Sequence, residues 1–154
     1  MNADISQKLK DFFVEHLPIT QFMGLEVESY DGEQLILTAP LEPNINDKQT
    51  AFGGSLYNAA VMACWGLVYL KTQEKGIECN QVVTGGEVKY KAPVAGTIRA
   101  IAQAPNTTEF DRFFADYDEA GKAKISLDAV ITTDGQPDSK VAVTFSGNYA
   151  IIAS

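Results

Sequence analysis

Few residues in this chain are equipped for chemistry. His16 is the single histidine, and Cys64 and Cys79 form neither a disulfide framework nor a metal-type spacing. Two patterns stand out. In Asn44-Ile45-Asn46, two amide side chains sit in a long polar stretch. Asn46 suits donation to a developing oxyanion, but ordering its own loop through backbone hydrogen bonds is the commoner job for a loop asparagine. Phe52-Gly53-Gly54-Ser55 opens an uncharged run that continues to Leu70. A helix starting there offers unpaired backbone N–H groups and the positive end of its dipole, and paired glycines let a carbonyl oxygen come close. The same glycines also serve a tight loop-to-helix turn that binds nothing.

Between Ser55 and Leu70 there is no Asp, Glu or His, so a base or carboxylate nucleophile would have to come from a loop such as that bearing Asp47. Without a histidine in position, Ser55 is no triad nucleophile. It reads as the helix N-cap, with a hydroxyl that could also reach a substrate. Asn58 either lines a pocket or satisfies a buried carbonyl, with the carbonyl favoured. Cys64 reads as an inert buried thiol, His16 as structural, and Tyr57, Met62 and Trp65 as core or pocket wall.

These residues need elements to hold them. Asp4–Leu17 has helical spacing of Ile5, Leu9, Phe12, Phe13 and His16, with Pro18 as a stop. Leu25–Ser29 and Gln34–Ala39 read as strands around the turn signal Asp31-Gly32. Pro40–Gly54 is a long connection of the kind that usually has a function. Ser55–Lys71 reads as a helix apolar on all sides, which other elements must wrap, burying Leu56, Val61, Trp65 and Leu70. From there the pattern becomes β: Val82–Ala92, Thr97–Ala104, Thr108–Tyr117, Lys124–Thr133 and Lys140–Ile152. This spacing predicts an antiparallel meander with no further helix, and Gly85-Gly86 predicts a bulge or a close backbone approach.

The 154 residues suit one domain, and 45% hydrophobic with 21% charged residues is ordinary globular composition. Twenty acidic and twelve basic residues give a net charge of −8, which argues against nucleic acid or anionic lipid as a main partner. The start lacks a basic region followed by an apolar one, and no run is long enough to span a membrane, so a cytoplasmic protein is expected.

The order of elements, together with Val88-Lys-Tyr90-Lys-Ala-Pro93-Val94-Ala-Gly96 and Phe52-Gly53-Gly54-Ser55-Leu56-Tyr57, resembles hotdog-fold thioesterases across almost the whole chain. The resemblance implies an α+β domain over residues 1–154, an antiparallel sheet around a long central helix, and an N-terminal helix. Pro43-Asn44-Ile45-Asn46, Phe52-Gly53-Gly54-Ser55 and Trp65-Gly66 resemble a narrower thioesterase-like group, also found fused behind an acetyltransferase domain, whose members decarboxylate malonyl-acyl carrier protein. By that resemblance Asn46 is the critical catalytic residue, and Ser55, whose hydroxyl could reach the substrate, is the second catalytic candidate. Asn44, Phe52, Gly53, Gly54, Tyr57 and Asn58 would bind a substrate carried on phosphopantetheine, as coenzyme A or acyl carrier protein, with no metal or other cofactor. A homodimer joined through sheet edges, or a dimer of dimers, is implied as well. Carrier docking would need a basic patch drawn from Lys89, Lys91, Arg99, Arg112, Lys122 and Lys124; a solvated strand edge is the simpler use of those residues. Hydrolysis of acyl thioesters and non-catalytic thioester binding stand as alternatives.

Overall fold

The computed structural model describes residues 2–154, with side chains from residue 5 onward. In chain order the elements are α1 (Asn2–His16), α2 (Pro18–Met23), β1 (Glu26–Tyr30), β2 (Gln34–Ala39), a 3-10 turn at Glu42–Asn44, α3 (Gly53–Glu74), β3 (Cys79–Tyr90), β4 (Ile98–Gln103), α4 (Thr107–Ala120), β5 (Lys122–Thr132) and β6 (Val141–Ala153). The helix that cannot face water on any side organises the rest. Leu56, Ala59, Ala60, Ala63, Cys64, Leu67, Val68 and Leu70 of α3 are buried against the sheet and α1. Each large aliphatic side chain among them contributes about 1.5–3 kcal/mol. Val61 and Trp65, expected to be inaccessible, are only half-buried. No helix among the described residues is long and apolar enough to cross a membrane.

Six antiparallel strands form one sheet in the order β1-β2-β4-β5-β6-β3. This corrects the meander. After β3 the chain crosses to the centre of the sheet, and β3 pairs with the last strand, β6. The crossing is pinned as Lys91 and Ala92 both donate to the Ala142 carbonyl (2.7 and 3.2 Å) and Ala95 donates to Thr133 (2.9 Å). Strand β3 is therefore an edge, twelve residues long, with a ladder on one side only.

The second correction concerns Thr108–Tyr117, expected as a strand and found within helix α4. Asn106 caps it, its side chain accepting from the Glu109 N–H at 3.1 Å, and Gly121 closes it in the left-handed region at φ 71°. Phe110, Phe113 and Phe114 recur at helical spacing and are buried. Lys71 of α3 and its C-cap residue Lys75 stand over the Phe110 and Phe114 rings at 5.5 and 5.3 Å. Run as a strand, these residues would put Phe110 and Phe114 on one face and Phe113 on the other; the helix gathers all three.

Pro18 ends α1 as expected, but it also starts α2 at a position that needs no N–H. His16, expected on the inner edge of α1, lies outside with its side chain 58% exposed, its ring tilted against that of Phe12 with centroids 4.7 Å apart. Leu17 takes the inner place, its N–H bonded to the Phe13 carbonyl at 3.1 Å. The β1–β2 turn is held by Asp31, whose carboxylate accepts from Glu33 and Gln34 at 2.9 and 2.7 Å and is kept below the usual carboxylate range by those bonds.

The placement of α4 predicts a contrast in chemical unfolding. Phe113→Ala should lose about 3–5 kcal/mol of stability. Phe22→Ala, at a position 83% exposed, should stay within about 0.5 kcal/mol. Equal, small losses would place the α4 phenylalanines outside the core.

Candidate functional site

The connection from Pro40 to Phe52 is built from its own amides. Asn44 is 3% exposed, and its Nδ2 donates to the carbonyls of Met23 and Pro40, both at 2.8 Å. Its carbonyl accepts the Phe52 N–H at 2.7 Å. Asn44 is thus the anchor that ties this loop to α2. Asn46 organises the tip: Nδ2 donates to Thr50 Oγ1 (2.9 Å) and the Ala51 carbonyl (3.3 Å), while Oδ1 accepts from the N–H groups of Lys48 (2.8 Å) and Thr50 (3.1 Å). Both amide hydrogens of Asn46 are used inside the loop. A short bridge between Ile45 and Ala51, and the Ala51 N–H on the Val94 carbonyl at 2.8 Å, hand the chain to α3.

Helix α3 begins two residues earlier than expected. Phe52 is its N-cap, without a side-chain cap, so Ser55 is the third residue of the first turn and not the cap. The expectation fails because the two glycines enter the helix instead of preceding it. The Phe52 carbonyl accepts the Leu56 N–H at 3.1 Å. That leaves the amides of Gly53, Gly54 and Ser55 without intrahelical acceptors, at the positive end of a helix twenty-two residues long. Phe52, 57% exposed, folds over Gly54: a Cβ there would lie 2.6 Å from its ring. Glycine is what permits that contact.

Around these amides the structure brings together Phe52, Tyr57 and a residue the sequence reading did not single out, Tyr90. Its hydroxyl donates to the Gly53 carbonyl at 2.9 Å. Burial and the neighbouring Tyr57 push the Tyr90 phenol upward, so it remains a neutral donor at neutral pH. Tyr57 packs on Phe145 at 5.6 Å, and its hydroxyl lies beside Gly86, where a Cβ would meet it at 3.1 Å. Asn58 turns elsewhere: its amide donates to the Met23 thioether at 2.9 Å, not to a backbone carbonyl. Cys64 is fully buried, and burial raises its thiol, consistent with an inert packing role. Asp47 points outward, 82% exposed and paired with Lys48 at 3.3 Å.

The expected bulge lies at Thr84. Val83 pairs with Tyr149 and Gly85 with Asn148, so two steps along β3 match one along β6. Before it, Gln81 and Val83 oppose the buried Ile151 and Tyr149; after it, Val88 and Tyr90 oppose the buried Phe145 and Val143. The bulge changes which alternate residues face inward, and so it aims Tyr90 at α3. Glu87 and Lys89 consequently lie on the outer face and pair at 3.6 Å. The other expected cations are dispersed. Arg99 pairs with Glu28 at 2.7 Å and Arg112 with Glu109 at 2.8 Å. Arg112, Lys122 and Lys124 border a groove of about 820 Å³ that also contains Asp116 and Glu119. They do not form a single basic patch.

Comparison with known proteins agrees with this geometry. Residues 6–153 match the YiiD_C family model, described as "Putative thioesterase (yiiD_Cterm)". The chain is 63% identical to a protein of unknown function from Chlorobaculum tepidum TLS, covering 99% of this chain and 97% of that one, with a TM-score of 0.94. It is 26% identical to a protein from Shewanella oneidensis described as a putative thioesterase, covering 97% and 99% of the two chains at a TM-score of 0.84. The PaaI protein of E. coli, from the phenylacetic acid degradation operon, is 15% identical over 100% and 98% of the chains with a TM-score of 0.68, a likeness of fold alone. With the sheet wrapped on a central helix and the family matched almost end to end, the chain is a hotdog-fold protein and belongs to the YiiD_C thioesterase family.

Proposed function

We propose that this protein acts on acyl thioesters and decarboxylates a malonyl thioester carried on phosphopantetheine, as malonyl-acyl carrier protein or malonyl-CoA, supplying acetyl primer for fatty acid synthesis. One observation carries the reading: the unpaired amides of Gly53, Gly54 and Ser55 are flanked by Phe52, Tyr57 and Tyr90, and the first four turns of α3 hold no Asp, Glu or His. In decarboxylation the bond to the carboxylate carbon breaks, carbon dioxide leaves, and the electron pair passes into an enolate whose oxygen needs hydrogen-bond donors. The enolate carbon then takes a proton from water to give the acetyl thioester. That sequence uses oxyanion donors in an apolar setting and requires no protein base for its first step. Hydrolysis is the second reading, favoured by the family description; its base would have to come from outside α3.

The long β3 edge supports a homodimer as part of the proposal. Val82, Val83 and Tyr90 are 43–51% exposed along it, and Tyr57, Val61, Trp65 and Tyr69 form an incompletely covered stripe on α3 beside it. An unpaired edge with such a surface suits pairing with a second copy, which would also enclose the start of α3.

Incubating the full chain with malonyl-acyl carrier protein, malonyl-CoA and saturated acyl-CoA esters decides between the reactions. Acetyl thioester and carbon dioxide are the expected products. Release of malonate and free thiol would replace decarboxylation by hydrolysis, and binding without turnover would leave a thioester-binding module.

Asn46→Ala separates two uses of that amide. With four hydrogen bonds holding the loop, the substitution should lower unfolding stability by about 1–3 kcal/mol as well as reduce turnover. A donor acting only on the oxyanion would instead cost about 10²–10³-fold in turnover and leave stability unchanged.

A further inference from the structure

We propose that Tyr90 is a positioning residue for the thioester site at the start of α3, a role that rests on the thioester-acting reading above. Three observations point the same way. The Tyr90 hydroxyl donates to the carbonyl of Gly53, the first residue of the helix, at 2.9 Å across thirty-seven residues of sequence. The ring lies against Gly53, with its Cε1, Cζ and Oη 3.6 Å from where a Cβ would stand. The aim of the side chain depends on the Thr84 bulge, without which the alternation of β3 would turn residue 90 to the outer face.

A helix whose first two residues are glycines, and whose cap makes no side-chain hydrogen bond, has a loosely determined first turn. Donors to an oxyanion are effective only when held at the right distance before the charge develops. Rotation of the Gly53–Gly54 peptide would turn its N–H away from the other two. Tyr90 opposes that rotation by gripping the Gly53 carbonyl, on the opposite side of the same peptide plane as the Gly54 N–H, from a strand that is itself bonded to β6. The hydroxyl acts through the Gly53 peptide, while Phe52 covers Gly54 from the other side. The sheet thereby fixes a helix terminus that its own sequence leaves free.

Tyr90→Phe is the test, because it keeps the ring at a site 51% exposed and removes only the hydroxyl. Steady-state turnover of malonyl-CoA, followed by carbon dioxide release, and of hexanoyl-CoA, followed by thiol release, is measured for the wild type and the variant alongside thermal unfolding. Tyr117→Phe serves as the control, since it removes another phenol–carbonyl contact, the 3.5 Å bond to Glu78, far from α3's start. The expected result is about a tenfold fall in kcat for Tyr90→Phe on the active substrate, with KM within about twofold, an unchanged melting temperature, and full activity in Tyr117→Phe. Undiminished kcat in Tyr90→Phe would overturn the proposal. So would a loss confined to KM, a fall in melting temperature that accounts for the loss, or an equal loss in Tyr117→Phe. No turnover by the wild type of either ester or of malonyl-acyl carrier protein, assayed alongside, would instead remove the reading of a thioester-acting enzyme, and this proposal with it.

Discussion

A helix with no polar face must be covered almost everywhere, and that requirement shapes the rest of this molecule. The sheet closes over one side of α3, α1 over another, and the phenylalanines of α4 fill the space at its far end. Gly66 marks the tightest crossing, where a Cβ would stand 2.7 Å from Leu35 and 3.0 Å from Leu9. Beside such complete cover, the stripe at Tyr57, Val61 and Trp65 and the open first turn are the exceptions. Both lie next to the edge strand β3, and the chemistry proposed here is confined to that margin.

An open helix start creates its own difficulty, because the loop leading to it can lean on little else. The loop answers with side-chain amides that replace the missing ladder: Asn44 fixes its base to α2 and Asn46 its tip to Thr50 and Ala51. The backbone N–H groups of Gly53, Gly54 and Ser55 are left without intrahelical acceptors. Polar groups spent on the loop and polar groups left open are thus separated by a few residues of chain, with the side-chain amides of asparagine on one side and the backbone amides at the start of α3 on the other.

Much of this was legible in the residues. An uncharged run after paired glycines read as a wrapped helix, and the bulge at Gly85-Gly86 was found one residue away, at Thr84. What escaped had physical causes. The segment after Pro105 has alternating stretches that mimic a strand, yet Asn106, Glu109 and the Phe110, Phe113, Phe114 spacing hold a capped amphipathic helix in plain view. Strand order was hidden because partnership between β3 and β6 depends on contacts across the whole domain. Ser55 resembled a cap because serine prefers that place; glycine, able to enter a helix as well as precede it, blurred the boundary by two residues. Tyr90 stayed unnoticed since its direction follows from counting through a bulge, which composition alone does not locate to the residue.

The extra residue at Thr84 makes the wall of the site sensitive to how the strand is paired as well as to residue type. Side chains along a strand behave like a two-letter reading frame, and a bulge resets the phase of everything after it. In this chain the shift presents Val88 and Tyr90 to the helix and sends Glu87 and Lys89 to solvent. The same residues paired in regular alternation through Thr84, without the bulge, would set Glu87 and Lys89 opposite Phe145 and Val143 and present a carboxylate and an ammonium at the same margin. Loss of the bulge at constant chain length is therefore a route by which this scaffold could exchange a neutral, aromatic site wall for a charged one without any substitution.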